Sequence, residues 1–151
     1  MIWTRDKFIV SDEKDLLNIE FVHHYLSQKS YWSANIPFEV VKKSIEGSMC
    51  FGVYKEETQI GFARIITDKA TIAYLGDVFI DEEYRGLGLS KWLMEIIIKH
   101  DELQSLRRWM LITRDAHELY KKYGFTPIGD ASKFMHRHNP DVYAGNKTNN
   151  S

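Results

Sequence analysis

Apolar positions recur along this chain with two different periods, and the places where the period changes mark its elements. Phe8-Ile9-Val10 reads as a short strand. Leu16, Ile19, His23 and Leu26 follow a three-and-four spacing that predicts a helix capped by Ser11 or Asp12. Beyond an aromatic loop, Ser30-Tyr31-Trp32-Ser33, Pro37 suits the first turn of a second helix with Phe38, Val41 and Ile45 inward and Gly47 just past its end. Three strands follow, Met49 to Tyr54, Gln59 to Thr67 and Thr71 to Ile80, joined by polar turns at 55–58 and 68–69, which predicts an antiparallel meander. Leu89, Trp92, Leu93, Ile96 and Ile97 form the apolar stripe of a third helix, and Trp109 to Thr113 reads as a strand. Asp115 is placed to cap a fourth helix through Tyr123, which Gly124 stops. Further strands are expected at Phe125–Ile128 and Phe134–Arg137.

The order βααβββαβαβ(β) is a mixed α/β layer arrangement. A helix links the Thr71–Ile80 strand to the Trp109–Thr113 strand, which permits that pair to run parallel. One domain over 1–138 is expected, with 139–151 a polar, frayed tail.

With 151 residues, 44% apolar and 27% charged, the chain has room for one sizeable core. Its formal net charge is -1, so no global field draws it to nucleic acid or to an anionic membrane. A small-molecule or peptide partner fits better. Cys50 is the only cysteine, which rules out an internal disulfide and leaves no thiol cluster for zinc; between Met49 and Phe51 it reads as a buried strand thiol. There is no signal-like N-terminal segment and no long apolar run, so a soluble, cytoplasmic protein is expected. Asn146-Lys147-Thr148 is then a chance sequon.

Candidate chemistry concentrates from Tyr74 to Ile98. The apolar strand ending Val78-Phe79-Ile80 meets Arg85-Gly86-Leu87-Gly88-Leu89-Ser90 and then a helix. Such a turn makes an anion cradle: the glycines let backbone approach a ligand, the first helical N–H groups are free, and the helix dipole favours a pyrophosphate. Arg85 offers a charge-assisted hydrogen bond. The turn lacks the Gly-Lys-Ser/Thr ending of a Walker loop and the third glycine of a dinucleotide fingerprint.

What the turn resembles is the Arg/Gln-x-x-Gly-x-Gly/Ala acyl-CoA loop of the Gcn5-related N-acetyltransferases, present as Arg85-x-x-Gly88-x-Ser90. A second stretch, Ala116-His117-Glu118-Leu119-Tyr120-Lys121-Lys122-Tyr123-Gly124-Phe125, is similar to that family's A-x-x-L/F-Y-x-K-x-G-F segment. Two departures stand out: Ser90 fills the last small position of the loop, and Thr113 stands where the family commonly has Asn, seven residues before the tyrosine.

The resemblance implies a mostly antiparallel mixed sheet with a splayed parallel pair and flanking helices, and acetyl-CoA as cosubstrate, with no metal. The pantetheine arm is then expected on the backbone of Val78, Phe79 and Ile80. The pyrophosphate is expected on Arg85, Gly86, Leu87, Gly88, Leu89 and Ser90, with Thr113 and Tyr120 also touching the cosubstrate. Gly76, inside an apolar strand, suggests a bulge or a close backbone approach, either of which could free an N–H for the thioester carbonyl. Tyr120 matches the family's tyrosine and is expected to protonate the departing thiolate. Asp77, in an apolar strand beside the reaction centre, is expected to be the base, with His23, His24 or water as alternatives. Tyr31, Trp32 and His24 are assigned to the amine acceptor, the aromatics as a cation–π wall or as plain packing. The expected reaction is direct acetyl transfer to a primary amine in a ternary complex; the competing reading is a non-catalytic acyl-CoA-binding module. The acceptor and the oligomeric state stay open, a homodimer included.

Overall fold

A computed structural model describes residues 1–145. Six strands lie side by side in chain order: β1 (Ile2–Arg5), β2 (Phe8–Ser11), β3 (Met49–Lys55), β4 (Thr58–Thr67), β5 (Ile72–Ile80) and β6 (Arg108–Leu111). The first five are antiparallel neighbours and β6 runs parallel to β5, as the helix between them allows. On one face lie α1 (Ile19–His24) and α2 (Phe38–Glu46), closing a cluster of Val22, Leu26, Val41, Ile45, Cys50, Phe62 and Phe79. On the other lies α3 (Leu89–Lys99), whose Leu89, Leu93, Met94 and Ile97 pack on Phe51, Val53, Ile65, Ala73 and Leu75. Covered on both faces, β4 is buried continuously from Gln59 to Ala63 instead of alternating. Cys50 is the buried strand thiol expected.

The chain departs from the sequence reading at both ends. β1 was not expected: Ile2 to Arg5 alternates in exposure and pairs with β2 across a tight turn in which Asp6 takes a φ of 54°. Neither Ser11 nor Asp12 caps a helix. Ser11 accepts the Glu13 amide, and Asp12 binds the Met1 ammonium and His100. A single 3₁₀ turn at Lys14–Leu16 follows, and α1 starts at Ile19 under Asn18, whose side chain accepts the Phe21 amide. It runs into one wider π-helical turn over Tyr25–Lys29.

After β6 comes α4 (His117–Lys121), which starts from Ala116 with no side-chain cap, so Asp115 does not cap it; Thr113 Oγ1 accepts the Ala116 amide in the loop just before. The strands expected at Phe125–Ile128 and Phe134–Arg137 do not form. Pro127 has no amide to give a ladder, and Phe125 instead packs edge-on against Trp109 and Tyr120. Asp130 caps a 3₁₀ turn at Ala131–Lys133, and Phe134 lies under the Arg108 guanidinium. Among the described residues the outer edge of β6 is therefore unpaired. The expected tail is partly anchored, since Tyr143 packs against the Val22 cluster. The sequon at 146–148 lies outside the described residues.

Candidate active site

The site opens where β5 outlasts its neighbour. Pairing with β6 runs from Ile72↔Arg108 to Leu75↔Leu111 and stops, while β5 continues to Ile80. From Gly76 onward that edge of β5 faces a cleft rather than a strand. On the other side, the register against β4 steps from Arg64↔Gly76 to Phe62↔Phe79, so Asp77 and Val78 stand opposite Ala63 alone. The bulge suggested by Gly76 thus sits one residue further on, and Asp77 is left-handed with φ 53°. A non-glycine residue there costs on the order of 1 kcal/mol, least for Asp or Asn, so surrounding bonds must hold it.

Two do. Arg64 Nε donates to Asp77 Oδ2 at 2.8 Å, and the Trp32 indole N–H donates to Oδ1 at 2.9 Å. Arg64 also reaches Ser48 Oγ at 3.0 Å. The Arg64 and Asp77 side chains are only 18% and 9% exposed. The carboxylate expected as a free base therefore has both oxygens engaged, one by a guanidinium, and its visible work is to fix Trp32 and Arg64. Tyr31 is fixed too: its hydroxyl accepts the Arg114 amide, and the Arg114 guanidinium lies 3.8 Å from its ring centroid.

Tyr31, Trp32, Arg64 and Asp77 border a cavity of about 560 Å³ that also meets Val78, Thr113, Asp115 and Tyr120. Tyr120 is buried, and its hydroxyl takes no hydrogen bond from the described residues. Burial first, and the nearby Tyr31 and Asp115 second, push its pKa up to about 12, so it remains a protonated donor across the neutral range.

A second cavity, about 310 Å³, lies over the glycine turn and is bordered by Ile80, Arg85, Gly86, Gly88, Leu89 and Ser90. Gly86 and Gly88 take φ of 82° and 77°, conformations that a side chain would strain. The amides from Gly86 to Lys91 donate to no backbone carbonyl, and Trp92 N–H to Gly88 O is where helical bonding begins. Leu87 forms the exposed crest of the turn. Behind it, Arg5 of β1 donates to the carbonyls of Gly88 at 3.2 Å and Leu87 at 3.5 Å while stacking 4.8 Å over the Trp92 ring. Drawing two carbonyls backward leaves the amides facing out, which is the geometry an anion needs. Arg85, expected at the phosphates, instead turns inward: Nε donates to Ile80 O and Nη2 to the Tyr25 hydroxyl. Tyr25 in turn stacks flat on Phe79 at 3.8 Å.

The expected residues thus divide. Tyr31, Trp32, Asp77, Val78, Thr113 and Tyr120 meet at the first cavity, and Ile80, Arg85, Gly86, Gly88, Leu89 and Ser90 at the second, where the Arg85 guanidinium points inward. Phe79 is buried under Tyr25 and contributes only backbone. His24 is exposed on α1 and borders neither cavity, while His23 bonds the Ile36 carbonyl. Sequence reasoning missed Arg5, Arg64 and Asp115. A lone charge in each of two adjacent apolar strands was the available sign of the Arg64–Asp77 pair; nothing local marks Arg5. Among the described residues no group of His, Cys, Asp and Glu is arranged to hold a metal ion, and no helix is long and apolar enough to cross a membrane.

Comparison with known proteins agrees with this geometry. The profile of the acetyltransferase (GNAT) domain matches residues 46–127. A protein of Gibberella zeae named as an acetyltransferase is 31% identical over 142 residues, covering 80% of this chain and 79% of its own length. A crystal structure from Xanthomonas campestris, assigned to the GNAT acetyltransferases, is 45% identical with a TM-score of 0.90, over 93% of this chain and 99% of that one. A GNAT acetyltransferase of Elizabethkingia anophelis, crystallised with acetyl-CoA, shares the fold at 14% identity and a TM-score of 0.60, over 81% of this chain and 78% of its own. With a splayed β5–β6 pair, an outward-facing amide turn and matches that span most of its length, this chain belongs to the Gcn5-related N-acetyltransferase family.

Proposed function

We propose that the protein transfers an acetyl group from acetyl-CoA to a primary amine by direct attack within a ternary complex. The observation that carries this reading is that the unpaired edge of β5 runs from a cavity holding a buried tyrosine with no hydrogen-bond partner among the described residues, at Val78, to a second cavity over a turn of free amides, at Ile80. The amides of Gly86 to Ser90 fit a pyrophosphate, and the open edge of β5 at Val78–Ile80 fits the amide-bearing pantetheine arm. Bound there, acetyl-CoA supplies an activated acyl thioester.

Tyr120 holds the proton that the sulfur takes up as the carbon–sulfur bond breaks and the amine nitrogen bonds to the carbonyl carbon. The protonated acceptor first gives a proton to water through the open cleft, which frees its lone pair for attack; a second proton leaves the nitrogen to water after the carbon–nitrogen bond forms, and Tyr120 is reprotonated from solvent. Trp32 and Tyr31, held by Asp77 and Arg114, wall the acceptor side. Asp77 acts in this reading as a positioning residue.

The test is release of free CoA from acetyl-CoA in the presence of pooled primary amines, with the acetylated product detected by mass. Tyr120→Phe should lower turnover by about ten- to a thousandfold while acetyl-CoA affinity changes little. A wild-type protein whose melting temperature CoA fails to raise, and which releases no CoA with any amine, refutes the reading.

A further inference from the structure

The acceptor side of the cleft carries more information than its position. Its charged groups are Arg64, Asp77 and Asp115, with His138 at the rim. Arg64 and Asp77 cancel each other, Arg64 donates further to Ser48, and Asp77 accepts further from Trp32. Asp115 is different. The expected cap does not form, and Asp115, exposed at the cavity rim in the loop before α4, has neither an ion-pair nor a hydrogen-bond partner for its carboxylate among the described residues. Arg114, the adjacent cation, lies on the Tyr31 ring instead of pairing with it. The cleft thus keeps one unneutralised negative charge, close enough to Tyr120 to contribute to the upward shift of its hydroxyl.

Around that charge stand aromatic rings. Tyr31 and Trp32 are 47% and 41% exposed, high for rings whose polar ends are already tied down by Arg114 and Asp77. They meet edge to face at 5.0 Å, and Tyr74 borders the same cavity. Fixed rings presented to a cavity beside a lone carboxylate suit a cation on an apolar body, because the ring faces are negative and the carboxylate supplies the full charge. Phosphorylated or carboxylated amines would meet that carboxylate inside the cavity, where Arg64 is already paired; Arg114, on the Tyr31 ring, is not among the lining groups.

Resting on the acetyltransferase reading above, we propose that the acceptor is a monocationic primary amine on an aromatic or apolar body, with its ammonium group on Asp115 and its body against Tyr31, Trp32 and Tyr74. Asp115 and Tyr120 line the same cavity, so an ammonium drawn to Asp115 is delivered to the side of the cleft where, once it has lost a proton to water, transfer takes place.

Two measurements test this separately from turnover. In the first, calorimetry titrates 2-phenylethylamine into the full chain saturated with CoA, for wild type, Asp115→Asn and Asp115→Glu. Asp115→Asn should weaken binding at least about tenfold with CoA affinity unchanged, and Asp115→Glu should recover part of the loss. Equal binding by wild type and Asp115→Asn overturns the proposal, as does wild-type binding weaker than that of glucosamine 6-phosphate or glutamate. In the second, acetylation of the same three amines is compared. A kcat/KM for 2-phenylethylamine about a hundredfold above both anionic amines supports the proposal. CoA release driven preferentially by an anionic amine overturns the acceptor class while leaving the acetyltransferase reading standing. CoA release with none of the three, alongside Asp115-dependent binding of 2-phenylethylamine, would count against the enzyme and for the site.

Discussion

Replacing Asp77 by Asn tests the centre of the site, because the change is isosteric yet cannot satisfy both neighbours. The carboxylate accepts from Arg64 on one oxygen and from Trp32 on the other. An amide has one acceptor and one donor, so whichever way it turns, one N–H of Arg64 or Trp32 is left facing another N–H. One bond is lost outright, and a hydrogen bond to a charged partner is worth about 1.5–3 kcal/mol. Ser48 still holds Arg64 and limits the damage. A loss of about 2 kcal/mol in a chain of this size lowers the melting temperature by about 4–8 °C. Asn tolerates the φ of 53° as well as Asp does, so backbone strain adds nothing. Asp77→Ala loses both bonds and adds strain, and Asp77→Gly should be more stable than Asp77→Ala by about 1 kcal/mol. In the assay, a positioning role raises the acceptor KM through a displaced Trp32 and leaves the acidic limb of kcat/KM against pH in place. Differential scanning calorimetry and a pH–rate series on the folded Asn variant decide the matter. An unchanged melting temperature would refute the paired carboxylate, and loss of the acidic limb with recovery at high pH would restore Asp77 as the base.

Removing the Arg5 guanidinium with Arg5→Met should raise the acetyl-CoA KM several-fold at constant kcat, with Arg5→Lys in between; an unchanged KM would show that the turn holds its shape unaided. Gly52→Ala places a methyl 2.2 Å from the Tyr54 hydroxyl, and overpacking of this kind costs about 1–3 kcal/mol, whereas Tyr54→Phe removes a buried hydroxyl that has no partner and should be neutral or stabilising. Urea midpoints would check both. Burial raises Cys50 to about 11 and Tyr54 and Tyr120 to about 12, so above pH 9 the unfolded chain gives up these protons before the folded one does. Their contribution is intact below pH 9 and is lost as pH climbs toward 12, by up to about 1.4 kcal/mol per pH unit for each group in its window. Equal urea stability at pH 8.5 and 10.5 would contradict this.

The meander, the α3 stripe and the glycine turn were legible because each rests on local periodicity or local turn chemistry, and β3 to β5 lie within a residue or so of where the pattern put them. The bulge was legible to within one residue, since Gly76 marks an apolar strand under stress although the left-handed position belongs to Asp77. What the sequence could not show depends on distant partners. His24 sits beside His23 in sequence, but the register of α1 against the sheet turns it outward. Arg85 bonds Tyr25, sixty positions away, and Arg5 bonds carbonyls more than eighty positions away. Asp115 carries a capping residue's identity, yet α4 starts one residue later from Ala116 with no side-chain cap, and only the folded loop shows that this carboxylate is left over.

The unpaired outer edge of β6 bears on how this protein behaves when concentrated. A bare strand edge is a template onto which another chain can extend a sheet, and the hazard grows with its length and flatness. Here the edge is only Arg108 to Leu111, and it begins with a guanidinium that covers the ring of Phe134. Phe125, edge-on to Trp109, stands directly before Thr126-Pro127, where a partner strand would need an amide and finds an imide. An incoming strand would gain few backbone bonds and would have to displace two aromatic contacts to make them. The same short β6 that opens the cleft by ending early also leaves too little exposed backbone for open-ended sheet growth.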